Sequence, residues 1–253
     1  MTTQGKTISR FLALILLAPL LVAARATSEE IKTPAIIAGH FSAATIGAGL
    51  PEGWQPLTFK NIERHTSYRL VADDGTTVLQ AVADASASGL VHRMRIDPKE
   101  HPFIEWRWKV NNVLLKGDVR RKDGDDYPAR VYITFDYDPA KLGFTDTMKY
   151  KAIKLLHGEV PVRAITYIWE SKAPEGTVVP NPYTNWVMMI VVESGKTRAG
   201  RWVKEKRNIY EDYKKAFGEE PGRITGVAVM TDTDNTGESA IAYYGDILFK
   251  KAD

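Results

Sequence analysis

The chain has no cysteine among its 253 residues. That excludes a disulfide framework, cysteine-ligated zinc, a thiol nucleophile and the lipidated cysteine of a bacterial lipoprotein. Its five histidines, His40, His65, His92, His101 and His157, show neither His-x-x-x-His nor Glu-x-x-His spacing, so a zinc hydrolase is not expected. Gly-x-Ser-x-Gly is missing, which removes the nucleophile elbow, and Ser194 in Glu193-Ser194-Gly195 has no evident base. No glycine-rich phosphate loop occurs. Beyond the N-terminus, no apolar run reaches the roughly 20 residues that a membrane-spanning helix needs.

What is present begins with a leader. Lys6 and Arg10 precede an apolar run from Phe11 to Ala24, and Ala24-Arg25-Ala26 fits a small-x-small cleavage site. Residues 1–26 are therefore expected to be a secretory signal peptide, the alternative being an uncleaved anchor helix, against which the Ala-x-Ala ending argues. The mature protein is expected to be periplasmic or secreted, with no transmembrane helix. The leader holds three basic residues and no acidic ones, so its removal takes the formal net charge from +3 to zero. The positive charge thus belongs to the leader, and no nucleic-acid partner is expected.

Residues 27–50 are small and polar and read as a lead-in segment, with a single domain over 51–253. Short alternating strands dominate that domain. Tyr68–Ala72 and Thr77–Ala81 flank Asp73-Asp74-Gly75, a hairpin signal. Trp106, Trp108 and Val110 share one face of a strand, as do Val131, Ile133 and Phe135 of another and Ile165, Tyr167 and Trp169 of a third. Trp186–Val192 is apolar on both faces, which predicts a central, doubly covered strand. The fold class is mainly β: an antiparallel β-sandwich or jelly roll of about nine or ten strands. Two amphipathic helices are expected to pack on it, over Asp146–Leu156 and Val203–Phe217.

Several motifs occur in a distinctive order: Trp106-x-Trp108, Asp125-Asp126-Tyr127-x-x-Arg130, Tyr167-x-Trp169, Glu193-Ser194-Gly195, Arg207-Asn208 with Asp212-Tyr213, Asp232-Thr233-Asp234-Asn235-Thr236, and Tyr244-Gly245-Asp246-Ile247. Over roughly residues 50 to 250 the chain resembles a family of exported bacterial proteins known only as a domain of unknown function. The resemblance implies a jelly roll of the galactose-binding or concanavalin type. Such folds often bind sugars and sometimes cleave them, although a fold does not fix a function.

The loop Asp232–Glu238 leaves one apolar strand and enters another, so it sits at a sheet rim. Asp232, Asp234 and Asn235 offer oxygen ligands to a hard cation such as Ca²⁺, and the plainer reading is a polar turn whose side chains bond their own backbone. An EF-hand is rejected because position 12 would be Tyr243. Asp125 and Asp126 precede the strand at Arg130. They fit an ion pair with Arg130, an acid/base pair or metal ligation. Trp106, Trp108 and Trp169 suit stacking on sugar rings if exposed and a core if buried. Arg207 is a candidate to reach an acidic loop. Its i, i+5 spacing to Asp212 on the expected helix does not favour a shared face.

The expected function is binding of a saccharide or cell-envelope polymer at an acidic, aromatic rim site. Asp125, Asp126, Arg130, Arg207 and the three tryptophans would be its ligand-binding residues. No cofactor is required, Ca²⁺ being the candidate. The alternative is a carboxylate-dependent glycan hydrolase or lyase, which needs two carboxyl groups facing each other across a cleft. Whether Asp125/Asp126 and Asp232/Asp234 converge in space is what separates a site from local turn chemistry.

Overall fold

The computed structural model describes residues 35–141 and 163–252, together with Met1, Thr2, Gly143 and Thr147. The expected signal peptide and the expected helix over Asp146–Leu156 fall largely outside the described residues. No helix among the described residues is long and apolar enough to cross a membrane.

Two sheets face each other. The first contains β1 (Ile36–Gly39), β3 (Ser67–Asp73), β4 (Thr76–Asp84), β6 (Phe103–Val110), β11 (Val203–Asn208) and β13 (Ser239–Lys250). Its lateral order is β11-β6-β13-β4-β3, with β1 joined to β13. The second orders β2 (Trp54–Leu57), β5 (Ala87–Ile96), β12 (Ile224–Asp232), β7 (Ala129–Phe135), β8 (Arg163–Glu170), β10 (Thr184–Ser194) and β9 (Val178–Asn181) as β2-β5-β12-β7-β8-β10-β9. The ladders are antiparallel except for the parallel pair β8–β10. Three short strands, β1, β2 and β9, were not expected. The sandwich begins inside the lead-in segment, where β1 pairs with the last strand and Phe41 is fully buried.

The Asp73–Gly75 signal forms the β3–β4 hairpin, with Asp74 at φ 51° and Gly75 at φ 71°, the twist a two-residue turn requires. Val203–Phe217 is helical only in its second half. Lys204 and Lys206 are exposed while their strand neighbours are partly buried, and the segment closes the edge of β6 as β11. Asn208 then accepts a hydrogen bond from the Glu211 amide and starts α1 (Ile209–Phe217), which Gly218 ends. Trp186–Val192 lies within β10, covered on both faces as expected but next to the sheet edge, since only β9 lies beyond it.

The alternating faces of the two sheets interdigitate as the main core. Trp106 stacks on Tyr167 at 5.2 Å and Trp108 meets Trp169 at 6.0 Å, joining β6 to β8 across the layers. All three tryptophans are buried, so the sugar-stacking role expected for Trp106, Trp108 and Trp169 is corrected: they are core. A second apolar cluster lies on the other side of the seven-stranded sheet. Ile168, Met189 and Val191 there meet Val119 and Tyr127 from the long β6–β7 connection. That connection is what builds the site.

Candidate functional site

Strand alternation sends Val131 and Ile133 of β7 into the main core, and so turns Arg130 and Tyr132 to the opposite face. On β12, next to it, Val227 and Val229 face the core and Asp232 ends the strand on the same outer face as Arg130. Arg130 donates through Nε to Asp232 Oδ1 at 2.7 Å, and its Nη2 completes a bidentate pair with Asp232 Oδ2. Nη2 also donates to the Asp125 carbonyl at 2.8 Å and Nη1 to the Tyr132 hydroxyl at 3.1 Å. The guanidinium lies 4.4 Å from the Tyr127 ring centroid. The expected Arg130–aspartate pair exists, but its main partner is Asp232 rather than the adjacent Asp125 or Asp126.

A single 3-10 turn over Lys122–Gly124 delivers the two neighbouring carboxylates in different directions. Asp126 locks the β12–β13 turn: Oδ1 accepts from the Asn235 amide and side chain, and Oδ2 from the Thr236 amide at 2.6 Å. Asp125 Oδ2 accepts from Asn181 Nδ2 at 2.8 Å, while its Oδ1 is buried without a hydrogen bond, 3.7 Å from Arg130 Nη1. Burial raises the Asp125 carboxyl above its ordinary range, partly opposed by Arg130. Asp234 is raised by burial and then by the charge of Asp126.

Asp126, Asp232 and Asp234 present oxygens within 4.8 Å of one another. The distant acidic turns therefore converge, and Asp126 takes the place expected for Asn235. The Asn235 side chain donates to Asp126, and its oxygen accepts from the Tyr183 hydroxyl at 3.0 Å. Hard cations favour six to eight oxygen ligands. Three carboxylates can begin such a shell, but Arg130 already places one positive charge against Asp232.

Tyr183, in the β9–β10 connection, was not expected at the site. It is 56% exposed, with Lys122 Nζ 5.2 Å from its ring centroid. Burial and then the charges of Asp125, Asp234 and Asp126 raise its phenol. The sequence signal for it was the turn-forming Asn181-Pro182 that precedes it. Beside the turn lies a cleft of about 530 Å³ whose wall includes Lys116, Arg121, Asp123, Lys172, Asn235 and Thr236. Glu238 accepts from the amides of Leu115 and Lys116, pinning the β6–β7 connection to the same turn.

Arg207 is not part of this site. It lies next to the end of β11 and makes a bidentate pair with Asp212 in the first turn of α1, which also accepts from the Tyr167 hydroxyl. The five-residue spacing works because a strand, not a helix, carries Arg207. A second acidic pair spans the layers elsewhere. Glu205 of β11 accepts from Trp108 Nε1 at 3.2 Å, and Glu193 of β10 accepts from Arg198 at 2.5 Å and keeps Oε2 buried without a hydrogen bond. Burial, then the charge of Glu193, pushes the Glu205 carboxyl up to about 8.

The profile of a family described as "Protein of unknown function (DUF3047)" matches residues 52–248. No curated protein matches the chain. Among solved structures the chain is similar to a beta-1,2-glucanase from Parabacteroides distasonis, at TM-score 0.43 and 10% identity over 86% of this chain and 25% of that one. It is similar to the family 30 carbohydrate-binding module of a cellulosomal cellulase of Clostridium thermocellum, at TM-score 0.34 and 11% identity over 88% and 95%. It is also similar to the carbohydrate recognition domain of Emp47p, at TM-score 0.43 and 10% identity over 86% and 95%. The chain thus spans a quarter of the glucanase's length. Likeness this distant says nothing about the chemistry of this chain's own site.

Proposed function

The chain belongs to the DUF3047 family, whose function is unknown, and from its own geometry we propose that it binds a saccharide at the acidic turn beside the cleft. The observation that carries the reading is the convergence of Asp126, Asp232 and Asp234, with Tyr183 hydrogen-bonded to Asn235 at their edge. Sugar hydroxyls need acceptors as well as donors, and their CH faces need an apolar ring. The site offers the partly exposed Asp234 and, on the cleft wall, Asp123 as acceptors, Lys116 and Lys172 as donors, and an exposed tyrosine. The leader pattern in the first 26 residues supports a periplasmic or secreted setting, where a cell-envelope polymer is the natural ligand.

A divalent cation such as Ca²⁺ is part of the proposal. Four aspartates surround one arginine, and the raised carboxyls of Asp125 and Asp234 are held up by burial with a further push from Asp126. Calorimetry of the full chain against neutral and acidic oligosaccharides, with Ca²⁺ and with chelator, tests it. Binding is expected to weaken at least tenfold in Asp126→Ala, about 1.4 kcal/mol or more, because the turn loses the acceptor for three N–H groups. Uniform failure to bind under both conditions would remove the reading. Ca²⁺ is expected to raise the melting temperature of the parent chain and not of Asp234→Asn.

A carboxylate-dependent hydrolase or lyase is the second reading. It is favoured by one feature: Asp125 is buried, its carboxyl is raised by that burial, and one of its oxygens has no hydrogen bond, next to Asp126. Release of products from a bound glycan, abolished in Asp125→Asn with binding retained, distinguishes it from binding alone.

A further inference from the structure

We infer that the outer face of the six-stranded sheet is a docking surface for an acidic polysaccharide, a polymer bearing carboxylates among hydroxyls. This goes beyond the acidic turn, whose carboxylates gather at the outer side of the seven-stranded sheet.

The surface is a connected row whose ends, Arg69 and Lys204, are exposed, while Gln80 and the Lys109–Asp73 pair between them are mostly buried. Arg69, Gln80, Tyr243 and Lys109 are lateral neighbours across β3, β4, β13 and β6. Arg69 Nε donates to Gln80 Oε1 at 2.7 Å, Gln80 Nε2 donates to the Tyr243 hydroxyl at 3.0 Å, and Lys109 Nζ stands 4.4 Å from the Tyr243 ring centroid. Trp202 continues the row. Its Nε1 donates to Asp73 at 2.8 Å, and the Arg107 guanidinium lies 4.5 Å from its ring centroid. Arg107 has room to reach that ring where β13 bulges between Tyr244 and Ile247, since a Cβ on Gly245 would stand 2.4 Å from Arg107 Cγ. Lys204, paired laterally with Arg107, extends the row onto β11.

Charge selects the occupant. Asp73 answers Lys109, and Glu105 takes both Lys206 and Lys250. Arg69, Arg107 and Lys204 form no ion pair with a described residue, so the face keeps unanswered positive charge for an anionic polymer. The interspersed Asp73 and Glu105 accept from hydroxyls and repel closely spaced phosphates. Tyr243 and Trp202 each already have a cation against the ring, which leaves them poor platforms for nucleobases. Together these favour a hydroxylated carboxylate polymer over a nucleic acid.

The test is affinity electrophoresis and calorimetry of the full chain with polygalacturonate, using dextran and a single-stranded oligonucleotide as comparators. Polygalacturonate is expected to bind, and added salt to weaken it. Lys204→Glu and Arg69→Glu are each expected to cost roughly two- to fivefold in affinity. Both side chains are exposed, so circular dichroism and the melting temperature should stay at the parent's values. No binding to polygalacturonate overturns the inference. So does equal binding of dextran, equal binding of the oligonucleotide, or affinity retained in both charge-reversed variants.

Discussion

The two outer faces of the sandwich obey the same alternation and end with opposite chemistry. On the six-stranded sheet, Arg69, Lys204 and Lys206 reach solvent because no chain segment covers them. On the seven-stranded sheet, Arg130 and Asp232 occupy equivalent outward positions, but the β6–β7 connection and the β12–β13 turn close over them, leaving 3% and 1% exposed. A charge on an outward strand position is therefore neither structural nor functional by itself. What the connecting chain does above it decides. Under cover, charge must be paired or hydrogen-bonded, and it fixes a shape. In the open, it is free to meet a partner.

The sharpest way to break this contrast is to remove one arginine from each face. Arg130→Met leaves the buried Asp232 carboxylate with only the Tyr127 amide and the Asp125 carbonyl without its guanidinium donor, a loss on the order of 3–5 kcal/mol in urea unfolding. Arg107→Met forfeits a stacking contact on an open face, about 0.5–1 kcal/mol. Equal losses from the two variants would dissolve the distinction between the faces.

A smaller effect tests the seam between the sheets, where Glu205 and Glu193 oppose each other. The folded-state carboxyl of Glu205 sits near 8, above its ordinary 4.5. A carboxyl raised on folding binds its proton more tightly in the folded state. Its contribution is fully present below the ordinary value and is lost as pH rises toward 8. Trp108 and Arg198 oppose the shift, through a hydrogen bond and a charge. The melting temperature is expected to fall between pH 5 and pH 8, with the missing stability on the order of 2 kcal/mol at the upper end. Glu205→Gln, neutral throughout, is expected to flatten that slope and to be the more stable protein at pH 8. A parent profile rising over this range would show that the pair is not protonated.

Much of this architecture was legible because alternation is a local property. Trp106/Trp108, Val131/Ile133 and Tyr167/Trp169 announced strands and shared faces. Which face was inside was not legible: period two groups residues but does not orient them, so the same tryptophans fitted a sugar platform until β8 was seen opposite β6. β11 was hidden because Lys204 and Lys206 alternate over only six residues and run into the helical spacing of Ile209, Tyr213 and Phe217. The acidic loop was visible as a cluster, whereas its arginine was not assignable. Arg130 chose Asp232, 102 positions away, over its near neighbours because both stand on one outer sheet face. Tyr183 carried no pattern beyond a turn, and only the fold of the β9–β10 connection brings it to the site.

The smallest predicted effect is the most discriminating for the open face. Gly245 sits in the β13 bulge without a left-handed backbone, so Ala is conformationally acceptable there and lowers the entropy of the unfolded chain. What it meets is the flexible side chain of Arg107, with Cγ at 2.4 Å and Nε at 2.6 Å from the new Cβ. Arg107 must swing off Trp202. The lost contact and the displacement of Arg107 from Cγ outward cost about 1–2 kcal/mol against about 0.5–1 kcal/mol of gained backbone term, so Gly245→Ala should lower the melting temperature only slightly. Trp202 should nonetheless report the change as altered fluorescence quenching, and polygalacturonate affinity should fall while stability largely holds. If instead stability drops by several kcal/mol with Trp202 undisturbed, the bulge is a backbone constraint, and the glycine was not there to seat the arginine.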